Sequence, residues 1–246
     1  MHPQEPPQST SPSKTTITIT TTESIDPSSS STAPTSRALY FAYGSNLSPS
    51  QMHQRCRKNP DISSRPVAIA RLDHWRWLIC QPGYANVVPP PDLRIGHQEH
   101  EGEDVPISGE EDTVYGVLYD MDPRDELLLD GYEGVDHDAP AAGADGKVPV
   151  EVRPKQQGRG DYNKWYVSAT VTQWLDEEQR VRWGGATRGD DGEVPVLVYV
   201  DEERVRVASP RDEYIPRMNR AIRESGELGF PKKWTEEVMR KFIPVN

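Results

Sequence analysis

The sequence predicts an α+β protein, a small mixed β-barrel with helices packed around its outside. Three observations predict this class. Short apolar segments rich in aromatic and β-branched residues outnumber the helical segments. The helical segments stand singly and begin at Ser-Pro, Asp-Pro or Pro signals. Strands and helices do not alternate regularly, which argues against a parallel sheet built from βαβ units.

The strands are indicated by their apolar patterns. Residues 38–43 form a short aromatic run that ends at a glycine, which predicts a buried strand, and residues 66–80 alternate over one or two strands. Residues 113–120 are apolar on both faces, so we expect a central strand that is covered on two sides. Residues 165–174 and 193–201 are rich in β-branched residues and predict a long hairpin.

Four helices are predicted from their first residues. Residues 48–51, Ser-Pro-Ser-Gln, form a capping box with Ser at the N-cap, Pro at N1 and Gln at N3. Asp-Pro opens a second helix over residues 122–129. Ser-Pro opens a third over residues 209–226, which has to tolerate Pro216 early and ends near a glycine. A proline opens the last helix, over residues 231–239.

The chain divides into a tail and one domain. Residues 1–36 are dominated by Ser, Thr and Pro and contain no Leu and no aromatic residue, so they cannot bury enough apolar area to offset the entropy of ordering. We expect a disordered tail. Residues 37–246 form the predicted domain, with polar insertions near 96–113, 136–161 and 176–193. The first two insertions predict solvated loops, and the third is expected to lengthen a hairpin turn.

Composition excludes several classes of protein. The longest apolar run, residues 194–200, is far shorter than the roughly 20 residues that cross a bilayer, so no membrane span is expected. A net charge of -11 disfavours nucleic acid as a partner. The chain has two cysteines and no apolar signal segment, which together predict a cytoplasmic location.

The turn at residues 43–47, Tyr-Gly-Ser-Asn-Leu, is the most specific local feature. It joins a strand to a capped helix, so several backbone N–H groups and the positive end of a helix dipole point outward together. Such a turn suits a carboxylate or a phosphate. Local physics also allows an ordinary strand–helix connection, and the turn lacks the residues of a P-loop or of a dinucleotide fingerprint.

A second feature is Glu133, which follows the end of a predicted helix between Gly131 and Gly134. The negative end of a helix disfavours a further anion, so a carboxyl group there is expected to have a raised pKa. A raised pKa lets a carboxyl group exchange a proton near neutral pH. The alternative is a solvated surface carboxylate at a helix end.

Residues 39–47, Leu-Tyr-Phe-Ala-Tyr-Gly-Ser-Asn-Leu, together with the downstream Glu133-Gly134, resemble the γ-glutamylcyclotransferase family. Residues 114–119 resemble the family strand that precedes the catalytic helix, and Ser209-Pro210 followed by Tyr214 resembles its C-terminal substrate-binding region. The resemblance implies release of 5-oxoproline and a free amino acid from a γ-glutamyl-amino acid, through attack of the substrate's α-amine on its own γ-carbonyl.

The resemblance also implies the site. Glu133 is the implied catalytic residue, first as general base and then as general acid. No cofactor is implied, and a homodimer rests on family analogy alone. A γ-glutamylamine cyclotransferase and a non-catalytic relative that binds a metabolite remain alternatives. The implied substrate-binding residues are Tyr40, Phe41, Ala42, Tyr43, Gly44, Ser45 and Tyr214.

His97 and His100 lie close to Glu99 and Glu101 in the first acidic insertion. They have no further ligand set at a known spacing, so we do not expect a metal site there. The two cysteines are expected to be small buried hydrophobic residues.

Overall fold

The computed structural model describes residues 37–98, 112–143, 148–184 and 192–245, in which strands and helices follow one another as below. The strands are β1 (Leu39–Ala42), β2 (Pro66–Asp73), β3 (Arg76–Ile79), β4 (Ala85–Val88), β5 (Thr113–Tyr119), β6 (Asn163–Trp174) and β7 (Glu193–Val200). The α-helices are α1 (Pro49–Arg55), α2 (Pro60–Ser63), α3 (Pro123–Tyr132), α4 (Glu177–Gly184), α5 (Tyr214–Glu227) and α6 (Lys232–Glu237). Short 3-10 helices cover Ser45–Leu47, Pro91–Leu93, Gly96–Gln98 and Met239–Lys241.

Five strands form a closed barrel in the order β1-β5-β2-β6-β7. Four of the pairings are antiparallel, and the barrel closes through a parallel pairing of β1 with β7, in which Tyr40 lies opposite Leu197. β3 and β4 form a separate antiparallel ribbon. The predicted class, an α+β small mixed barrel with flanking helices, is therefore confirmed.

The apolar core fills the barrel and the space under its helices. β5 lies between β1 and β2 and has buried residues on both faces, so the prediction of a central strand covered on two sides is confirmed. The predicted pairing of β6 with β7 is also confirmed. Gly116 of β5 has to lack a side chain, because a Cβ atom there would stand 2.6 Å from the ring of Phe41. The fully buried Trp165 of β6 packs edge-on against Trp75, with ring centroids 6.0 Å apart.

Residues 66–80 form two strands because His74 adopts a left-handed conformation, with φ of 68°, that ends β2. The short strand β4 and the single-turn helix α2 were not predicted, since each is only four residues long and lacks a distinctive period. α3 begins at its predicted Asp122 cap and continues to Tyr132, three residues beyond the predicted end.

The predicted start of the third helix was wrong. α5 begins at Tyr214, because residues 209–213 are held against the β3–β4 turn instead. The N–H of Arg211 donates to the carbonyl of Gly83, and the carbonyl of Arg211 then accepts the N–H of Tyr214 as the helix begins. Pro216 falls in the first turn, where a helix needs no N–H donor.

The second insertion differs from a solvated loop, since residues 136–143 and 148–161 are tied to the barrel. The carboxylate of Glu202, 1% exposed, accepts two hydrogen bonds of 2.7 Å from Arg153 of the insertion. The same carboxylate accepts 2.7 Å hydrogen bonds from Asn163 and from the indole of Trp165. A buried carboxylate needs such donors, and here they attach the insertion to the end of the barrel.

The connection between β6 and β7 contains α4, which buries Trp183, and residues 185–191 lie outside the described residues. Residues 99–111 of the acidic insertion and the predicted tail, residues 1–36, also lie outside them, so the tail remains a prediction. Within the described residues no helix has the length and apolarity that a membrane crossing requires.

Candidate active site

A cavity of about 390 Å³ opens where the turn after β1, the end of α3, the residues before β6 and the start of α5 meet. Aromatic and charged side chains dominate its wall. The lining residues are Tyr40, Tyr43, Gly44, Ser45, Asn46, Arg55, Pro82, Tyr84, Ala85, Tyr132, Glu133, Asp161, Tyr162, Tyr199, Arg204, Arg211, Tyr214 and Arg217.

Glu133 is the C-cap residue of α3, where its N–H donates to the carbonyl of Leu129 at 2.9 Å. Its carboxylate oxygen Oε1 accepts a 2.8 Å bond from Arg55 Nη1 and a 3.2 Å bond from Asn46 Nδ2. The Arg55 and Glu133 side chains are each 17% exposed, so this ion pair is only weakly screened by solvent. The guanidinium thus gives the carboxylate a positively charged partner at hydrogen-bond distance.

The turn after β1 is held by side chains of α1. Ser48 caps the helix, and its hydroxyl accepts the N–H of Gln51 at 3.1 Å as predicted. The reciprocal half of the predicted capping box is absent. The amide of Gln51 instead donates to Ser45 Oγ at 2.7 Å and to Asn46 Oδ1 at 2.8 Å. α1 therefore fixes the turn through Gln51 and fixes Glu133 through Arg55.

Tyr214, the first residue of α5, reaches across the cavity to this turn. Its phenolic oxygen accepts the N–H of Ser45 at 3.3 Å and the N–H of Ala85 at 3.4 Å. Burial raises the pKa of Tyr214 to about 12, so the phenol keeps its proton at neutral pH. Because the oxygen is the acceptor in both bonds, its own hydrogen is available to a ligand in the cavity.

Further tyrosines form the inner wall. Burial raises the pKa of Tyr40, Tyr43, Tyr162 and Tyr199, and the nearby Glu133 carboxylate raises them further, so all four stay neutral. Tyr43 donates to the carbonyl of Tyr199 at 2.6 Å. These rings make the cavity wall largely apolar, and their hydroxyl groups are its polar groups.

Four arginines line the cavity of a chain whose net charge is negative. Arg204 is neutralised by two carboxylates, Asp201 at 2.6 Å and Asp161 at 2.9 Å. Arg217 lies 3.5 Å from Glu213 and donates to Ser45 at 2.9 Å. The positive charge of both groups is therefore largely committed within the protein.

Arg211 is different. Its Nε donates to the carbonyl of Pro82 at 2.7 Å, and its guanidinium lies 5.2 Å from the ring centroid of Tyr84. In the described part of the chain no carboxylate forms an ion pair with Arg211. It thus offers a positive charge to an anionic group of a ligand.

The structure brings most of the predicted site residues together and separates two of them. Phe41 and Ala42 are fully buried in the barrel wall and do not line the cavity, because the ring of Phe41 packs over Gly116. The predicted residues that do line it are Tyr40, Tyr43, Gly44, Ser45, Glu133 and Tyr214.

Sequence reasoning missed several cavity residues. Asn46 lies inside the recognised turn and was available from it. Arg55 lies in the last turn of α1, where a basic residue is common and carries no signal of function. Asp161 ends the insertion that was expected to be a solvated loop, and Tyr162 follows it directly.

Within the described residues, no group of three or more His, Cys, Asp or Glu side chains is arranged to hold a metal ion. His100, Glu99 and Glu101 lie outside those residues. Cys56 and Cys80 are buried, and burial raises the pKa of each thiol to about 12. Neither thiol therefore has the thiolate character of a nucleophile at neutral pH.

No protein-family model matches the chain, and no curated protein matches it in sequence. A solved structure described as a gamma-glutamyl cyclotransferase matches at a TM-score of 0.50 and 19% identity, covering 85% of this chain and 89% of its own. An ensemble refinement of an uncharacterized protein from Homo sapiens matches at a TM-score of 0.48 and 19% identity, with the same coverages. A yeast protein described as a glutathione-specific gamma-glutamyl cyclotransferase matches at a TM-score of 0.41 and 13% identity, covering 76% and 87%. The first likeness shows that the chain shares the fold of that γ-glutamyl cyclotransferase.

Proposed function

We propose that this chain, which has the fold of a γ-glutamyl cyclotransferase, converts a γ-glutamyl-amino acid into 5-oxoproline and a free amino acid. One observation carries the proposal. The Glu133 carboxylate lines the same cavity as the Gly44-Ser45 turn and is held there by Arg55 and Asn46. A carboxylate held in such a cavity is what an intramolecular amide cleavage requires.

The reaction needs no nucleophile from the protein. The substrate's α-nitrogen forms a bond to its own γ-carbon, and the γ-carbon then releases the nitrogen of the amino acid. The cavity holds the substrate folded, with its α-nitrogen close to its γ-carbon. Such orientation of reacting groups lowers the barrier by about 7–11 kcal/mol. Its volume of about 390 Å³ is in the range of small-molecule sites.

Glu133 moves the proton. As the ring closes, its carboxylate takes a proton from the substrate's α-ammonium group. It then delivers that proton to the nitrogen of the leaving amino acid. The second proton that the α-nitrogen loses on becoming a lactam N–H also ends on the leaving nitrogen, which departs as an amine and becomes an ammonium group, so the carboxylate is regenerated at the end of the cycle. The ion pair with Arg55 holds the carboxylate at the cavity as the cycle begins.

Tyr214 stabilises the oxyanion. Attack on the γ-carbonyl places negative charge on its oxygen, and a neutral donor aimed at that oxygen lowers the barrier. The hydroxyl of Tyr214 is fixed by two backbone N–H groups and keeps its own hydrogen for the cavity. The high pKa of this phenol keeps it protonated while it donates.

Arg211 favours an amino acid over an amine as the leaving group. A γ-glutamyl-amino acid carries a free carboxylate on the leaving part, whereas a γ-glutamylamine does not. The guanidinium of Arg211 lies at the cavity without a carboxylate partner in the described residues, so it suits that carboxylate. The retained Glu133 disfavours a binding protein without activity.

The test is product analysis with purified protein and γ-glutamyl-alanine. We expect equal amounts of 5-oxoproline and alanine, with turnover that persists in the presence of a chelator, since every step uses groups of the protein or the substrate. Binding of γ-glutamyl-alanine without any 5-oxoproline would support the non-catalytic alternative. Faster turnover of γ-glutamyl-ethylamide would support the γ-glutamylamine alternative.

A further inference from the structure

Two buried amide side chains connect α5 to the carboxylate of Glu133. Gln51 and Asn46 are each only 4% exposed. On the α5 side, Gln51 Oε1 accepts a 2.8 Å bond from Arg220 and a 3.4 Å bond from Arg217. On the other side, Asn46 donates to Glu133 Oε1 at 3.2 Å. The amides thus form a continuous path from two arginines to the carboxylate.

The direction of every bond along this path is determined by the arginines. A guanidinium only donates, so the oxygen of Gln51 has to face Arg217 and Arg220. The NH₂ group of Gln51 then faces Asn46 and donates to Asn46 Oδ1 at 2.8 Å. Because its oxygen is occupied, Asn46 presents its NH₂ group to Glu133.

Tyr40 does not determine this orientation. Asn46 Nδ2 also lies 2.9 Å from the hydroxyl of Tyr40. A hydroxyl either donates or accepts, so it would satisfy Asn46 in either orientation. The orientation of Asn46 is therefore set by Gln51 together with the Glu133 carboxylate, which accepts hydrogen bonds and does not donate them.

The bonds made by Asn46 and Arg55 both fall on the same oxygen of Glu133, Oε1. Among the residues that the structure describes, no hydrogen bond to Oε2 is found. Two donors fix Oε1 in place, so Oε2 is the oxygen that is left to exchange a proton.

We propose that Gln51 is a positioning residue, which orients the amide of Asn46 so that Glu133 keeps an N–H donor on Oε1 and exchanges protons through Oε2. The catalytic meaning of this arrangement rests on the proposed function. The arrangement itself is a property of the folded chain and is measurable without substrate.

Other groups face the same carboxylate and have to be considered in any titration. The neighbouring cation is Arg55 of α1, and no side-chain hydrogen bond joins it to Gln51 in the described structure. The tyrosines whose pKa values respond to the charge of Glu133 come from β1, from the residue after β1, from the residue before β6, from β7 and from α5. They are Tyr40, Tyr43, Tyr162, Tyr199 and Tyr214.

The test is the Gln51→Glu variant. Both oxygens of the new carboxylate are acceptors, so Asn46 has to turn its NH₂ group toward residue 51 and its oxygen toward Glu133. An oxygen facing Glu133 is tolerated only when that carboxyl is protonated. We therefore expect the titration midpoint of Glu133 to rise by about 1 pH unit, the effect of losing one hydrogen bond to a charged group.

The measurement is a carbon-13 NMR titration of the glutamate carboxyl groups, with the Glu133 signal assigned by its loss in Glu133→Gln. A control is needed for the effect of charge alone, because a new anion at residue 51 repels the Glu133 carboxylate even when the Asn46 amide does not turn. In an Asn46→Ala background this repulsion persists but no amide is left to turn. We expect the shift caused by Gln51→Glu to be less than half as large there.

Equal shifts in the two backgrounds, or no shift in either, would overturn the proposal. Thermal unfolding checks that the variants are folded, and Gln51→Glu gains two arginine partners that favour folding. Because the titration needs no turnover, it separates the two proposals. Absence of 5-oxoproline from the wild-type protein would reject the proposed function and leave the orientation of Asn46 by Gln51 standing.

Discussion

The hydroxyl oxygen of Tyr214 lies 2.9 Å from the position that a Cβ atom of Gly44 would occupy. The Cβ of Ala85 lies 3.3 Å from the same position. The close approach lets Tyr214 reach the backbone N–H groups of Ser45 and Ala85. Gly44 is thus required because Tyr214, which is far away in the sequence, packs against it.

The Gly44→Ala variant is expected to displace Tyr214 and to lower kcat/KM at least tenfold. The added methyl group also overpacks a buried site, which typically costs about 1–3 kcal/mol of unfolding free energy. Adding Tyr214→Phe removes the clashing oxygen, so the double variant should be more stable than Gly44→Ala alone in urea unfolding. A double variant that is less stable would contradict this account of the glycine.

Glu133→Gln keeps the shape of the side chain and removes its ability to carry a proton. We expect 5-oxoproline formation to fall by about two orders of magnitude or more, in line with the loss of a general base. Glu126→Gln is the matched control, since Glu126 lies on the same helix and pairs with Lys164 away from the cavity lining. Similar losses in both variants would show that helix stability, and not proton transfer, is being measured.

Arg211→Met tests recognition of the leaving carboxylate. We expect KM for γ-glutamyl-alanine to rise about tenfold, because a hydrogen bond to a charged group is lost. KM for γ-glutamyl-ethylamide, which has no carboxylate on its leaving part, should change little. Arg206→Met is the control, as its exposed side chain is not part of the cavity lining. A rise in KM for both substrates would contradict the assignment.

Tyr214→Phe removes one oxyanion donor and the acceptor of two backbone N–H groups. The removal of an oxyanion donor lowers kcat by about 10²–10³-fold. We expect kcat to fall more than KM rises, because the donor acts on charge that develops in the transition state. Tyr115→Phe is a matched change in β5, outside the cavity lining, and should retain activity. An unchanged kcat in Tyr214→Phe would assign the oxyanion to another donor.

Glu202→Gln tests the attachment of the second insertion to the barrel. The change leaves the mostly buried Arg153 without its charged partner and places an NH₂ group among donors. We expect a loss of about 3 kcal/mol of unfolding free energy, typical of a broken buried ion pair. Glu203→Gln, at the exposed neighbouring position, should be near neutral in the same urea titration. Equal stability of both variants would show that the insertion is not anchored by this carboxylate.

The sequence allowed prediction of the barrel, since β1, β2, β5, β6 and β7 carry strong strand patterns. It also indicated the turn at Gly44 and the acid at Glu133, because each has a local signature. Arg55 and Arg211 were not predictable, since their roles arise from contacts between segments far apart in the chain. Phe41 and Ala42 belong to the same motif as the cavity residues, but they are buried in the barrel wall and do not line the cavity.

The attachment of the second insertion was also not predictable, because it depends on a residue far away in the sequence. Its composition is that of a loop, and nothing in residues 136–161 themselves indicates a partner. The partner of Arg153 is Glu202, which lies 49 residues further along the chain, and only the folded barrel brings the two together. The predicted tail, the homodimer and the cytoplasmic location remain predictions.

The parallel contact between β1 and β7 has a consequence for synthesis on the ribosome. The earliest strand of the barrel has no lasting neighbour on one side until residues 193–200 have left the exit tunnel. Tyr214 and Arg217 emerge later still, and both belong to the cavity. A nascent chain that stalls before this point therefore exposes an unpaired strand edge, which makes it prone to aggregation and a substrate for chaperones.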